Sequence, residues 1–240
     1  MSDTGEPVAR RIGSLDWTRI EGDLDRHGCA LTGPLLTSRE CALLRAGYEE
    51  EHRFRSRVVM DRHGFGSGEY KYFAYPLPRL VAVLRRTLYA PLARIANAWA
   101  QRTGAGVSYP PRLDEFTARC HAAGQKRPTP LLLKYGAGDY NCLHQDLYGP
   151  TAFPLQATFL LDRPEVDFEG GEFVLVEQRP RMQSRAEVVP LEQGGGVIFA
   201  VNRRPVQGRH GPYAVTLRHG VSRLRRGRRH TLGVIFHDAA

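Results

Sequence analysis

The spacing of apolar residues is mostly helical before residue 129 and loses that period after it. Leu80, Val83, Leu84, Leu88, Leu92, Ile95, Ala96 and Trp99 recur three and four apart, which predicts one long helix over 77–103, with Pro91 expected to kink or split it. Leu15, Ile20 and Leu24 predict a first helix over 14–28, capped by Ser14 and stopped at Gly28. Thr37 to Glu40 has the capping-box pattern that opens a helix running to about His52, and a further helix is expected over 112–123, closed by Gly124. Residues 29–36, interrupted by Gly33 and Pro34, and residues 55–60 read as short strands. The first dozen residues are mostly polar and are expected to be frayed.

After residue 129 short apolar runs take over, at 130–135, 142–147, 155–161, 172–177, 186–190, 196–201, 213–218 and 229–236, separated by Gly, Pro and Asp turns. Strands of this length following a helical half predict an α+β protein. Its core would be a double-stranded β-helix (jelly-roll) in the C-terminal half, with supporting helices from the N-terminal half. No linker or repeat divides the chain, so one domain over 1–240 is expected: 1–128 as helical support and lid, 129–240 as the jelly-roll core. The lid candidate is Asp61 to Phe73, in which three glycines alternate with Phe65, Tyr70, Tyr72, Phe73 and basic residues without a clear period. Such a segment suits a cover over a stacked base. Its alternative is a loop whose aromatic side chains pack back on the domain.

Composition adds three constraints. Apolar residues make up 42% and charged residues 25%, an ordinary globular balance. No run approaches the roughly 20 apolar residues needed to cross a bilayer, and the N-terminus lacks a signal-peptide core, so a soluble, cytoplasmic protein without a membrane partner is expected. Cys29, Cys41, Cys120 and Cys142 are far apart with no C-x-x-C, which predicts reduced and mostly buried thiols; Cys142, two residues before His144, reads as a small core residue with a position pointing into the site as the alternative.

The net charge of +9 is concentrated: nine arginines and no acidic residue lie between Ala200 and His230. That segment suits a nucleic-acid partner. A solvated turn plus one buried arginine would account for it equally well.

The candidate chemistry sits in Leu131 to Tyr148. An apolar run there ends at Gly136 and Gly138, and His144 and Asp146 follow. On an extended backbone, side chains two apart share a face, so this imidazole and carboxylate can converge on a metal. A third ligand is offered by His219, ten residues before Arg229. Two histidines and one carboxylate form the facial triad of non-haem Fe(II) oxygenases. A guanidinium nearby would grip a dicarboxylate bidentately. On a strand, Arg229 shares a face with Thr231 and Gly233, whose small side chains leave room beside it, while Arg228 and His230 face the other way. His63 has no carboxylate at ligand spacing, His210 lies in a loop that could reach the rim of the site, and His237 is nearly terminal.

These residues carry a family resemblance. Tyr135-Gly-Ala-Gly-Asp-Tyr-Asn-Cys-Leu-His144-Gln-Asp146 resembles the Y-x-P-G-x5-H-x-D stretch of Fe(II)/2-oxoglutarate dioxygenases, and its Leu-His-Gln-Asp core is similar to the AlkB-type nucleic-acid demethylases. His219-x-Val221-x5-Gly227-x-Arg229 resembles the close of the prolyl-hydroxylase-like branch, as does Glu169-Gly-Gly-Glu-Phe173. The resemblance implies an enzyme that uses Fe(II), 2-oxoglutarate and O2, with His144, Asp146 and His219 as metal ligands. It further implies that Tyr135 meets the co-substrate carboxylate with Arg229, beside which the strand face places Thr231. Two substrate readings stay open: oxidative demethylation of alkylated nucleic acid, and hydroxylation of a protein or peptide side chain. The second has room because the AlkB-type two-arginine close is absent. A non-catalytic nucleic-acid-binding jelly-roll is the alternative from another class.

Overall fold

The computed structural model describes residues 5–240. Its N-terminal half holds α1 (Gly5–Gly13), α2 (Trp17–His27), β1 (Cys29–Pro34), α3 (Ser38–Ala46), β2 (Phe54–Val59), β3 (Gly66–Ser67), β4 (Glu69–Phe73), α4 (Arg79–Thr103) and α5 (Leu113–Ala122). Strands then follow one another: β5 (Leu131–Gly136), β6 (Tyr140–His144), β7 (Leu155–Leu160), β8 (Phe168–Gly170), β9 (Phe173–Gln178), β10 (Arg185–Val189), β11 (Gly195–Ala200), β12 (Arg203–Gly208), β13 (Gly211–Val221) and β14 (Leu224–Val234).

Among the described residues these strands form two antiparallel sheets. The larger has the order β1-β11-β7-β14-β5-β4-β2 with β8 beside β14, and the smaller has β10-β9-β13-β6-β3 with β12 beside β13. From β5 to β14 the chain passes back and forth between the sheets, with β9–β10 and β12–β13 as hairpins inside the smaller one, which gives the jelly-roll core. Period-two alternation then sorts side chains. Leu132 of β5 and Leu232 and Val234 of β14 face the helix-packed core. Their neighbours Leu131, Leu133, Tyr135, Arg229, Thr231 and Gly233 line a cavity between the sheets. On the outer side, Arg85 of α4 donates to the carbonyls of Ile235 and Phe236 and pairs with Asp238 at 2.7 Å, fixing the chain just beyond β14.

Several expectations need correction. Residues of the first dozen are ordered from Gly5: α1 buries Val8 and Ile12, and Arg11 bonds the Leu35 carbonyl and Glu40, each at 2.6 Å. Residues 1–4 lie outside the described chain. The cap of α2 is Asp16, whose carboxylate accepts from the Arg19 N–H, while Ser14 donates to the Arg11 carbonyl at the end of α1. The capping box of Thr37 and Glu40 is formed, but α3 stops at Ala46 rather than near His52, and two 3-10 turns follow. Pro91 does not divide α4. It and Thr87, whose carbonyl loses its helical donor, both line an open surface groove.

The largest correction concerns the lid candidate. Glu69–Phe73 is not a cover but β4, paired between β2 and β5 in the larger sheet, with Phe73 in the core. Three further strands were also not expected, β3, β8 and β12, and each is a short edge element paired with one neighbour.

Candidate metal centre

β6 and β13 are adjacent, and their register sets His219 directly opposite His144. Gly220 permits that approach, since a Cβ there would meet the Asn141 carbonyl at 2.6 Å. β6 ends at His144. The chain then turns away, with Gln145 donating to the Leu217 carbonyl at 2.7 Å, and this exit carries Asp146 back to the two imidazoles. The ligand atoms of His144, Asp146 and His219 all lie within 4.8 Å of one another. His144 Nε2 is 3.5 Å from Asp146 Oδ1, and His219 Nε2 is 3.4 Å from Oδ2.

The protonation states suit a divalent metal. Burial pushes the Asp146 carboxyl up, but its hydrogen bond to His219 and the nearby imidazoles outweigh this and hold it well below the usual carboxylate range. Burial, reinforced by His144, lowers His219 below an ordinary histidine, which favours the neutral ring a metal needs. His144 Nδ1 lies 2.8 Å from the Cys142 carbonyl, which can only accept, so the proton is on Nδ1 and Nε2 is left as the donor atom. The His219 ring is oriented by packing instead, stacked on Phe173 and against Phe199, with ring centroids 5.9 and 4.6 Å away.

The cavity beside this cluster measures about 300 Å³. At one end Arg229 is 1% exposed, and its Nε and Nη1 have no hydrogen-bond partner among the described residues. Gly227 shapes the approach to it: φ is +83°, and a Cβ would collide with the Asp167 carbonyl. Other buried arginines are satisfied, Arg85 by Asp238 and Arg204 by Glu177. A buried guanidinium without an acceptor is costly and marks where an anion belongs. Tyr135 lies opposite Arg229 in register, its hydroxyl accepting from Asn141 at 3.3 Å, and Thr231 lines the same wall. A dicarboxylate with one end on Arg229 fits this donor set.

Two features of the site were not anticipated. Gln156 sits on the inner face of β7, 3% exposed, with Oε1 unpartnered and its side chain lining the cavity beside Thr158. The signal was present, since LQATFL is an otherwise apolar run whose two polar residues, Gln156 and Thr158, are two apart. The second feature is a chain of hydroxyls. Tyr148 donates to Asp146 Oδ1 at 2.6 Å and receives from Tyr72 at 3.0 Å. Burial, then the Asp146 charge, raises Tyr148 far above an ordinary phenol, so it stays a proton donor. Tyr148→Phe should therefore loosen the carboxylate and weaken Mn(II) binding by roughly 10–100-fold in calorimetric titration. An unchanged affinity would show that Tyr148 does not orient Asp146.

Other candidates lie elsewhere. His210 is exposed on the β12–β13 turn, away from the cavity lining, and His230 pairs with Asp162 at 2.9 Å. His63 stacks on Phe65, and His237 is buried against Tyr148. Cys29, Cys41 and Cys120 are buried free thiols, but Cys142 is exposed and lines the cavity, because strand parity gives it the same face as His144. Two, not one, of the nine arginines between Ala200 and His230 are buried, Arg204 and Arg229. Among the described residues no helix is long and apolar enough to cross a membrane.

Residues 68–239 match the model of a family described as an oxygenase catalysing oxidative methylation of damaged DNA. An uncharacterised protein of Mycobacterium tuberculosis, found in two strains, is 50% identical over 168 residues, 70% of this chain and 72% of that protein. Among solved structures, a Pseudomonas putida prolyl-4-hydroxylase aligns with a TM-score of 0.54 at 14% identity, covering 93% of this chain and 100% of that one. A 2-oxoglutarate–Fe(II) oxygenase from Burkholderia pseudomallei aligns with a TM-score of 0.54 at 15% identity, covering 95% and 94%. At such identities the two structures speak for the fold, and the family match speaks for descent. The chain is thus a member of that oxygenase family, an enzyme with the jelly-roll of the 2-oxoglutarate- and Fe(II)-dependent oxygenases.

Proposed function

We propose that this enzyme removes N-linked alkyl groups from nucleic acid by oxidation, with His144, Asp146 and His219 holding Fe(II) and with Arg229, Tyr135 and Thr231 holding the far carboxylate of 2-oxoglutarate. The bound metal supplies activation of O2 coupled to decarboxylation of the co-substrate. Oxidising equivalents of this kind hydroxylate a C–H bond. They cannot add a methyl group, for which no donor is involved, so among reactions on methylated damage the balanced one is removal. One O2, one 2-oxoglutarate and an N-methyl group give succinate, CO2 and an N-hydroxymethyl group, which releases formaldehyde and leaves N–H.

The observation that carries the substrate reading is the aromatic wall of the cavity. Tyr70 and Tyr72 of β4 meet edge to face at 5.3 Å, Tyr148 continues the wall at 6.1 Å from Tyr72, and Phe65 is 48% exposed where it lines the cavity. Planar groups of this kind suit a base taken out of its stack. Hydroxylation of a protein side chain is the second reading, favoured by the absence of the AlkB-type two-arginine pattern from β14. The unpartnered Arg229 weighs against a module that only binds, since such a module has no use for a buried, unsatisfied cation.

The test is coupled turnover. With Fe(II) and 2-oxoglutarate, oligonucleotides carrying N-methylated bases should yield formaldehyde in equal amount to succinate. Succinate released only with proline-containing peptides, which gain the mass of one oxygen, would replace this reading by the second.

A further inference from the structure

The arginine-rich segment between Ala200 and His230 is poorly placed to hold a strand whose base enters the cavity. Arg204 and Arg229 are buried, and Arg225 and Arg226 are paired with Glu172 and Glu169 at 3.3 and 2.6 Å. Arg228 borders a separate shallow cleft together with Asp61, Glu69 and Asp139.

A different pair of cations stands at the aromatic end. Arg55, on β2, places its guanidinium carbon 4.4 Å over the Tyr72 ring and donates from Nε to the Pro128 carbonyl at 2.8 Å. That bond brings it beside Arg127, an exposed residue whose backbone is fixed by reciprocal hydrogen bonds with Ala239, at 3.0 and 2.8 Å. Neither guanidinium has a carboxylate partner among the described residues. The one acid nearby, Asp238, is fully buried and already engaged by Arg85, Tyr75 and His121. Burial, and then the Arg127 charge, lowers Arg55 below an ordinary arginine. Two cations without a carboxylate partner, one stacked on a tyrosine that lines the cavity and the other next in the chain to the residue it bonds, suit a phosphodiester. From Arg55 the contacts run through Tyr72 and Tyr148 to Asp146, so an anion docked here sits on the same wall that leads to the metal ligands.

We propose that Arg55 and Arg127 are the phosphate-docking point for a nucleic-acid strand whose modified base passes Tyr72 and Tyr148, and that the arginines of 200–230 are not. This rests on the demethylase reading. The probe is a short fluorescein-labelled single-stranded DNA, titrated by anisotropy over a range of salt. Each phosphate contact contributes about 0.7 to the slope of log affinity against log salt on single strands, so Arg55→Gln with Arg127→Gln should lower the slope by about 1.4. Arg127→Gln alone, at an exposed position that leaves the Tyr72 stack intact, should lower it by about 0.7 and leave 2-oxoglutarate binding unchanged. Arg223→Gln, Arg225→Gln and Arg226→Gln combined should leave it unchanged.

Wild-type protein that binds with a salt slope unaffected by the Arg55 and Arg127 changes would overturn the docking point and leave the demethylase reading standing. A triple variant that alone loses the slope would move the contact to β14. Wild-type protein with no salt-dependent binding would remove both readings.

Discussion

Replacing Asp146 with alanine should abolish succinate formation from 2-oxoglutarate, lowering turnover by at least about a thousandfold, since a bound metal supplies several kcal/mol of transition-state stabilisation and each ~1.4 kcal/mol is tenfold. Asp146 is the only anionic member of the cluster. Both imidazoles are neutral when they ligate, so the carboxylate provides the charge that offsets the metal's own. His144→Ala should fall similarly, because it removes one of two nitrogen donors on facing strands. The variants should also fail to develop the charge-transfer absorption band that Fe(II) and 2-oxoglutarate give together without oxygen. Far-ultraviolet circular dichroism separates this from unfolding. Wild-type turnover in either variant would sink the assignment of the metal site.

Arg229→Met should produce an opposite pair of effects, a more stable ligand-free protein and a nearly lost co-substrate. The ligand-free protein buries a guanidinium with two nitrogens unsatisfied, and exchanging buried charge for an apolar side chain of similar volume is often neutral or stabilising by about 1–4 kcal/mol. Its melting temperature should hold or rise. Removing one partner of a buried, hydrogen-bonded charge pair costs roughly 2–5 kcal/mol of binding, so the 2-oxoglutarate requirement should increase from about 30-fold to several thousandfold. The thermal stabilisation that excess 2-oxoglutarate confers on the wild type should vanish with it. Arg229→Lys should not restore binding, because an ammonium cannot reproduce the planar fork. Thermal melts with and without 2-oxoglutarate decide the matter. A variant that unfolds without ligand, or that keeps the full ligand-induced shift, would contradict the anchor role.

Much of this was legible in the chain. The stripe from Leu80 to Trp99 fixed α4, the Thr37–Glu40 pair fixed the start of α3, and alternation after residue 129 located eight of the strands, since each of these is a local pattern with its own period. The spacing of His144 and Asp146 and of His219 and Arg229 named the side chains that the structure gathers. The segment 61–73 was less legible. Gly64, Gly66 and Gly68 all take positive φ around a tight turn, and their lack of side chains hid the alternation that resumes in β4.

What the sequence determined by itself was therefore which residues could ligate a metal or an anion; that a turn after His144, and not a shared strand face, returns Asp146 to the imidazoles was decided by the tertiary structure. That they meet depends on pairings far apart in the chain: β13 laid between β6 and β9, and β14 laid between β5 and β7. Only those pairings bring His219 opposite His144, and they also decided that Gln156 faces inward and that Tyr148 and Tyr72 join behind Asp146. The physical reason is that side-chain periodicity is set by backbone geometry within a strand. Register between distant strands is set instead by which buried surfaces and hydrogen bonds the whole fold can satisfy at once.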